Sequence, residues 1–168
     1  SCVIAADQAG DANYAAAAPV TQTIAIGQAT QTISAFVANP TTPVYAPNGT
    51  FTVSASGGAS GQPVVFATTT AAVCSVNGNT VTMRTAGTCA LTATQAGDAN
   101  HAASPMQTLD VVIGAGAQTL TFAAQSAQTF TANATFALSP LATSSSGLAV
   151  TYTSRTAGVC SISGTTVT

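Results

Sequence analysis

Lysine, glutamate and tryptophan are missing from the 168-residue chain altogether, and histidine occurs once, at His101. Each absence closes off a class of function. Charged side chains amount to 4% of the sequence, against about 25% in ordinary soluble domains. They are Asp7, Asp11, Asp98, Asp110, Arg84 and Arg155 and no others. A general acid/base pair or a phosphate clamp has almost nothing to be built from, so neither a catalytic residue nor a cofactor is expected. With a net charge of −2 and no basic cluster, nothing would release counterions from a nucleic acid. Hydrophobic residues reach 46%, but no uninterrupted apolar run approaches the roughly 18 residues of a spanning helix, which argues against membrane insertion. The solvated surface has to be made of Thr, Ser, Asn, Gln and Ala. Two Arg and no Lys also leave few places for a trypsin-like protease to cut.

What is present, and in excess of chance, is self-similarity. QAGDAN occurs at Gln8 to Asn13 and again at Gln95 to Asn100. Gln8 and Gln95, Cys2 and Cys89, and Gln31 and Gln118 are each 87 residues apart. Val64 to Thr82 aligns with Val150 to Thr168 at a spacing of 86, one residue being lost in the loop-rich middle. A period of this length suits an array of small domains, each with its own core, and is too long for a solenoid turn. With boundaries at the Gly-containing joints IGQATQ (Ile26 to Gln31) and IGAGAQ (Ile113 to Gln118), residues 1–27 are the last part of one repeat. Residues 28–114 are a complete repeat and 115–168 the first part of the next. Joined head then tail, the two fragments lack only a counterpart of Met83 to Gly87. Each fragment alone would expose strand edges and half a core. The head is therefore expected to be completed by the tail of a neighbouring chain or by covalent continuation of the same polypeptide. A return within one chain is awkward, because the complete domain intervenes. The opening at Ser1, without Met or a signal-like segment, reads as an internal or processed piece.

Within the complete repeat, period-two alternation marks strands at Gln31 to Phe36, Thr50 to Ala55, Pro63 to Thr68, Val73 to Val76, Asn79 to Arg84, Thr88 to Gln95 and Met106 to Ile113. Turn signals separate them, with NGN from Asn77 the clearest hairpin cue. YAAAAPV after Asn13 could form no more than a brief turn. Seven short strands in such a unit indicate a two-sheet sandwich of immunoglobulin type. Cys74 and Cys89 are the natural disulfide. On the first and third strands of a flat meander they would lie roughly 9–10 Å apart, too far to bond, so the chain must change sheets between them. By the same phase, Cys160 and Cys2 lack partners within their own fragments and would pair across the joint, between chains or to the continuation. Four cysteines in so small and charge-poor a chain suggest an oxidising, extracellular setting.

The blocks VCSVNGNTVT (Val73 to Thr82) and AGTC (Ala86 to Cys89), the QAGDAN turn and the closing TLDVVIG strand (Thr108 to Gly114) resemble the bacterial immunoglobulin-like domains found in tandem arrays of surface adhesins and extracellular fibres. The resemblance implies a stalk or spacer. Antibody-like recognition is not carried over, since Trp is absent and the cysteine spacing is too short for the antibody inter-sheet bridge.

QAGDAN offers Asp98 and Asn100, or Asp11 and Asn13, as oxygen ligands, but these are too few for the six to eight oxygens of a calcium site. A turn held by Asx hydrogen bonds is the better reading. His101 stands where the other copy has Tyr14, which favours a surface or packing role over metal binding. Asn48 and Asn133 fit the N-glycosylation pattern, as two short matches in a Thr-rich chain will by chance. Nothing local specifies a glycan. Arg84, placed in a strand, and Arg155, in a loop region, are expected to be solvated or in a structural ion pair. The expectation is thus an all-β chain of immunoglobulin-like β-sandwich repeats of about 87 residues, arrayed head to tail. It would be a structural part of an extracellular bacterial filament or adhesin stalk, with copies of itself as partners. The competing expectation is an adhesin module that binds carbohydrate or a host surface through its loops, against which stands an aromatic content of 5%.

Overall fold

Every regular element is a β-strand, as short alternating segments rich in Thr and Val with no helical stripe require. The computed structural model describes all of residues 1–168, and the chain divides into two units, Ser1–Ala115 and Gly116–Thr168. In the first unit the strands are β1 (Cys2–Ala6), β2 (Val20–Ile24), β3 (Ser34–Asn39), β4 (Thr50–Ser56), β5 (Val64–Thr68), β6 (Cys74–Asn77), β7 (Thr80–Met83), β8 (Gly87–Gln95) and β9 (Gln107–Ile113). β1 and β2 form a separate antiparallel hairpin. The remaining strands make two antiparallel sheets, in the orders β3-β4-β7-β6 and β5-β8-β9.

These two sheets share one core. Phe51 and Val53 of β4, Val81 and Met83 of β7, Leu91 of β8 and Val111 and Ile113 of β9 belong to a single buried cluster, consistent with a β-sandwich. The alternating pattern does this directly, because inward residues of β8 (Cys89, Leu91, Ala93, Gln95) are buried while those alternating with them are exposed (Thr88, Thr94) or half-buried (Ala90, Thr92). The chain crosses from one sheet to the other between β7 and β8, and a disulfide joins Cys74 of β6 to Cys89 of β8 with 5.8 Å between their Cα atoms. The β6–β7 hairpin turns on Gly78-Asn79 with Gly78 at φ 58°, the II′ arrangement that glycine in the first central position serves.

Most strand ends fall within a residue of expectation, but β3 is displaced by three residues at both ends, to Ser34–Asn39 from Gln31–Phe36. β3 begins at Ser34 instead of Gln31, because Ala35 adopts φ 51° and the β3–β4 register shifts between Ser34 and Val37. Such a bulge bends the strand away from its first residues, and Gln31 turns its side chain to the β8–β9 loop instead. Arg84 lies just beyond β7, exposed, since β7 ends at Met83.

The complete repeat is tied down at both ends by parallel bridges. Ala29 pairs with His101, and Val44 with Gly114. Tyr45 N donates to the Gly114 carbonyl and Gly114 N to that of Pro43, both at 2.9 Å.

In the second unit the strands are short: β10 (Leu120–Thr121), β11 (Phe136–Ala137), β12 (Thr143–Ser144), β13 (Ile162–Ser163) and β14 (Thr166–Val167). They form sheets β10-β12 and β11-β14-β13. Phe136 pairs with Val167 and Ile162 with Val167, the same two pairings that Phe51 and Val76 make with Val81. Phe122 meets Tyr152 at 5.6 Å between ring centroids, as Phe36 meets Phe66 at 5.5 Å. The spacing between copies falls from 87 at Gln31 and Gln118 to 86 at Phe36 and Phe122 and to 85 at Phe51 and Phe136, then returns to 86 at Val64 and Val150, so one residue is lost at the Ala35 bulge and a second is lost and regained in the loop-rich middle.

Candidate functional site

The QAGDAN segment makes its turn for local reasons. Asp98 Oδ1 accepts from Asn100 N at 2.8 Å and His101 N at 2.7 Å, and Asp98 N donates to the His101 carbonyl at 2.9 Å. Asp11 makes the same set with Asn13 N at 2.8 Å, Tyr14 N at 2.9 Å and the Tyr14 carbonyl at 2.8 Å. A side-chain carboxylate mimicking a backbone turn is the Asx motif. Gly97 and Gly10 are required by close approach: a Cβ on either would run into the carbonyl of His101 or of Tyr14. His101 Nδ1 lies 3.0 Å from Asp98 Oδ1. No three His, Cys, Asp or Glu side chains come together anywhere as a metal-holding group.

The N–H of Asn100 holds the Asp98 carboxyl below its ordinary value; desolvation opposes it, and the N–H and ring of His101 add to the lowering. A carboxyl depressed in the folded state adds stability above its unfolded value and loses it as pH falls through the folded one. Asp98→Asn is therefore expected to flatten the acid side of the stability curve, measured by thermal melts between about pH 5 and pH 2.

Gln95, the first residue of the motif, has a second role that sequence reasoning missed. It is 3% exposed; its Oε1 accepts from Gly58 N at 2.6 Å and its Nε2 donates to the Gln62 carbonyl at 2.7 Å. Gln31 answers from the segment before β3, accepting from Ser60 N at 2.9 Å and donating to the Ala96 carbonyl at 3.0 Å. Together the two amides close the end of the core while satisfying buried backbone groups. The signal was available, since Gln recurs at both places in the other copies as Gln8 and Gln118.

Beside this lies Ser104, buried, whose Oγ has no hydrogen-bond partner. The other copy carries Ala17 at that position. An orphaned hydroxyl is destabilising, so Ser104→Ala should leave stability unchanged or raise it by up to about 1 kcal/mol, read as a denaturant midpoint.

The contrast between copies is the main feature of the chain. Cys89, Leu91, Val111 and Ile113 are between 0% and 2% exposed. Their counterparts in the β1–β2 hairpin are Cys2, Ile4, Ile24 and Ile26, all exposed, with Ile26 at 72%. The hairpin keeps the same register, Cys2 opposite Ile24 as Cys89 is opposite Val111. Gln8, unlike Gln95, is exposed.

The second unit is open as well. Leu120, Phe130 and Val159 are exposed, and Val167 alone is buried. A groove of about 340 Å³ is bounded by Phe130, Phe136, Val159, Cys160 and Val167. Cys160 N bonds to the Thr156 carbonyl at 3.1 Å, as Cys74 N does to that of Thr70 at 3.1 Å. Cys2 and Cys160 are both free thiols within the chain, Cys2 exposed and Cys160 half-buried.

Asn48 and Asn133 occupy turns at φ 57° and 60°, a conformation that Asn tolerates better than most residues. Arg84 and Arg155 are exposed and neither pairs with a carboxylate; the one carboxylate contact of this kind is the hydrogen bond between Asp98 and the His101 ring. No helix is long and apolar enough to cross a membrane. No family model, no curated protein and no solved structure matches this chain.

Proposed function

We propose that the chain is a structural part of an extracellular filament or adhesin stalk, of bacterial type by its resemblance, built end to end from immunoglobulin-like repeats. One observation carries this reading: equivalent side chains form a closed core in residues 28–114 and lie open in residues 1–27 and 116–168. A surface apolar to that degree calls for a partner of matching shape, and the best match is another copy of the same fold. The strand orders β3-β4-β7-β6 and β5-β8-β9 are those of the immunoglobulin constant type. The disulfide Cys74–Cys89 fits an oxidising compartment. Successive repeats are joined by almost nothing, since Gln28 alone separates Gly27 from the bridged Ala29. Such joints suit a stiff stalk.

Mass analysis of the native material under denaturing conditions, with and without reductant, tests the reading. A ladder that collapses to 16.3 kDa on reduction identifies separate subunits linked by disulfides. A much larger species that survives reduction identifies a tandem-repeat polypeptide. Material that stays at 16.3 kDa in native and denaturing conditions alike would overturn both forms of the stalk.

A further inference from the structure

The β1–β2 hairpin and the open face of residues 116–168 are the two halves of a seat that residues 28–114 display filled. We propose that the occupant of that face is the hairpin of residues 1–27 from a second copy of this chain, held in one register and sealed by a Cys2–Cys160 disulfide. The inference rests on the stalk reading and deepens it by naming the partner and its register.

The register follows from the filled seat. There β8 pairs with β5, Gln95 opposite Val64 and Leu91 opposite Thr68. The corresponding pairing sets Gln8 of one copy opposite Val150 of the other, and Ile4 opposite Ser154. Residues 150–154 form no strand by themselves, as expected of a β5 counterpart whose central neighbour is missing. Gly114 sits between Pro43 and Tyr45, which places Gly27 between Gln128 and Phe130. Ile26, next to it, then enters the groove bounded by Phe130, Phe136 and Val167. At the opposite end Gln118 is placed to donate to the Ala9 carbonyl, as Gln31 donates to that of Ala96.

Cysteine geometry supports the same register. Ser154 Oγ lies 3.5 Å from Cys160 Sγ, where Thr68 Oγ1 lies 3.1 Å from Cys74 Sγ. Cys160 therefore stands after its turn as Cys74 does, and Cys2 arrives on the strand position that Cys89 occupies. Bond formation requires an oxidant, and a small disulfide such as oxidised glutathione supplies it by exchange. The Cys160 thiolate attacks that disulfide and expels one thiolate. The Cys2 thiolate then attacks the mixed disulfide and expels the second. In sum two protein thiols lose two electrons and two protons, and one small disulfide becomes two thiols.

A second copy fits better than the chain's own hairpin. The complete repeat, residues 28–114, intervenes along the chain between the hairpin and the open face. A second copy's hairpin meets no such limit.

The experiment uses the purified chain in a glutathione redox buffer, with sedimentation for size and peptide mass mapping for the bridges. The expected result is a concentration-dependent ladder in which the Cys2 peptide is joined to the Cys160 peptide, and non-covalent association that persists in Cys2→Ser. Ile4→Asp combined with Ile26→Asp should weaken association at least about 100-fold, while the melting of residues 28–114 stays unchanged as an internal control of folding. A wild-type chain that remains monomeric with both thiols titratable overturns the interface, as do Cys2–Cys2 or Cys160–Cys160 bridges or a ladder indifferent to the aspartates. A monomer here leaves the stalk reading standing on tandem continuation, which the mass of reduced native material decides separately.

Discussion

Replacing Cys74 and Cys89 together by alanine is expected to lower the stability of residues 28–114 by about 3 kcal/mol. The disulfide closes a loop with a sequence separation of 15, and in the chain-entropy model a loop of this size costs the unfolded state about that much freedom. Both cysteines are fully buried, so the double change also leaves two small voids, which adds to the loss. Replacing both residues avoids leaving a lone thiol beside the Thr68 and Thr70 hydroxyls that surround Cys74. Thermal denaturation followed by circular dichroism should record a fall of about 10–20 °C for a domain of this size. A loss under about 1 kcal/mol would show that the unfolded chain is already constrained around this loop.

The second expectation is a contrast. Leu91→Ala should cost about 2–5 kcal/mol, the range for large-to-small changes in a packed core, because Leu91 is 1% exposed at the centre of the cluster. Ile4→Ala, the same deletion at the equivalent strand position, should cost less than about 0.5 kcal/mol in the unassociated chain, since Ile4 is 52% exposed there. Urea denaturation of both variants at high dilution gives the comparison. Equal losses at the two positions would mean that the hairpin is already packed in a core of its own, and would remove the basis for a second copy binding it. If association occurs as proposed, the cost of Ile4→Ala should grow with protein concentration.

Most of the strand pattern was legible because Thr-Val alternation leaves one face apolar and the other polar, so that register and facing follow together. β4 and β5 and the long β8 fall within a residue of the segments that alternation marks out. The start of β3 was not legible, because nothing in QTISAF announces that Ala35 will take a positive φ. Gln31 and Gln95 were misread for a different reason. A pattern built on hydropathy assigns Gln to solvent, whereas here each amide satisfies backbone groups that the sandwich end would otherwise leave dry. Their recurrence at the repeat spacing was the available clue, and it pointed to a structural position before any geometry was known. Ser104 left no signal of any kind, apart from the alanine in the other copy.

The bridge between the sheets bears on what happens when the domain is pulled. Tension applied to the chain enters at Ala29 and leaves at Gly114, and both points are clamped by bridges to neighbouring segments. Each bridge has to yield before the chain end that it holds can extend. Should they give way, residues on either side of the Cys74–Cys89 loop can extend, but the loop itself cannot. Its 15-residue separation withholds about 50 Å of contour length. The covalent link thus sets a limit on how far residues 28–114 can lengthen under strain, and the oxidised domain would act as a tether of fixed maximum reach.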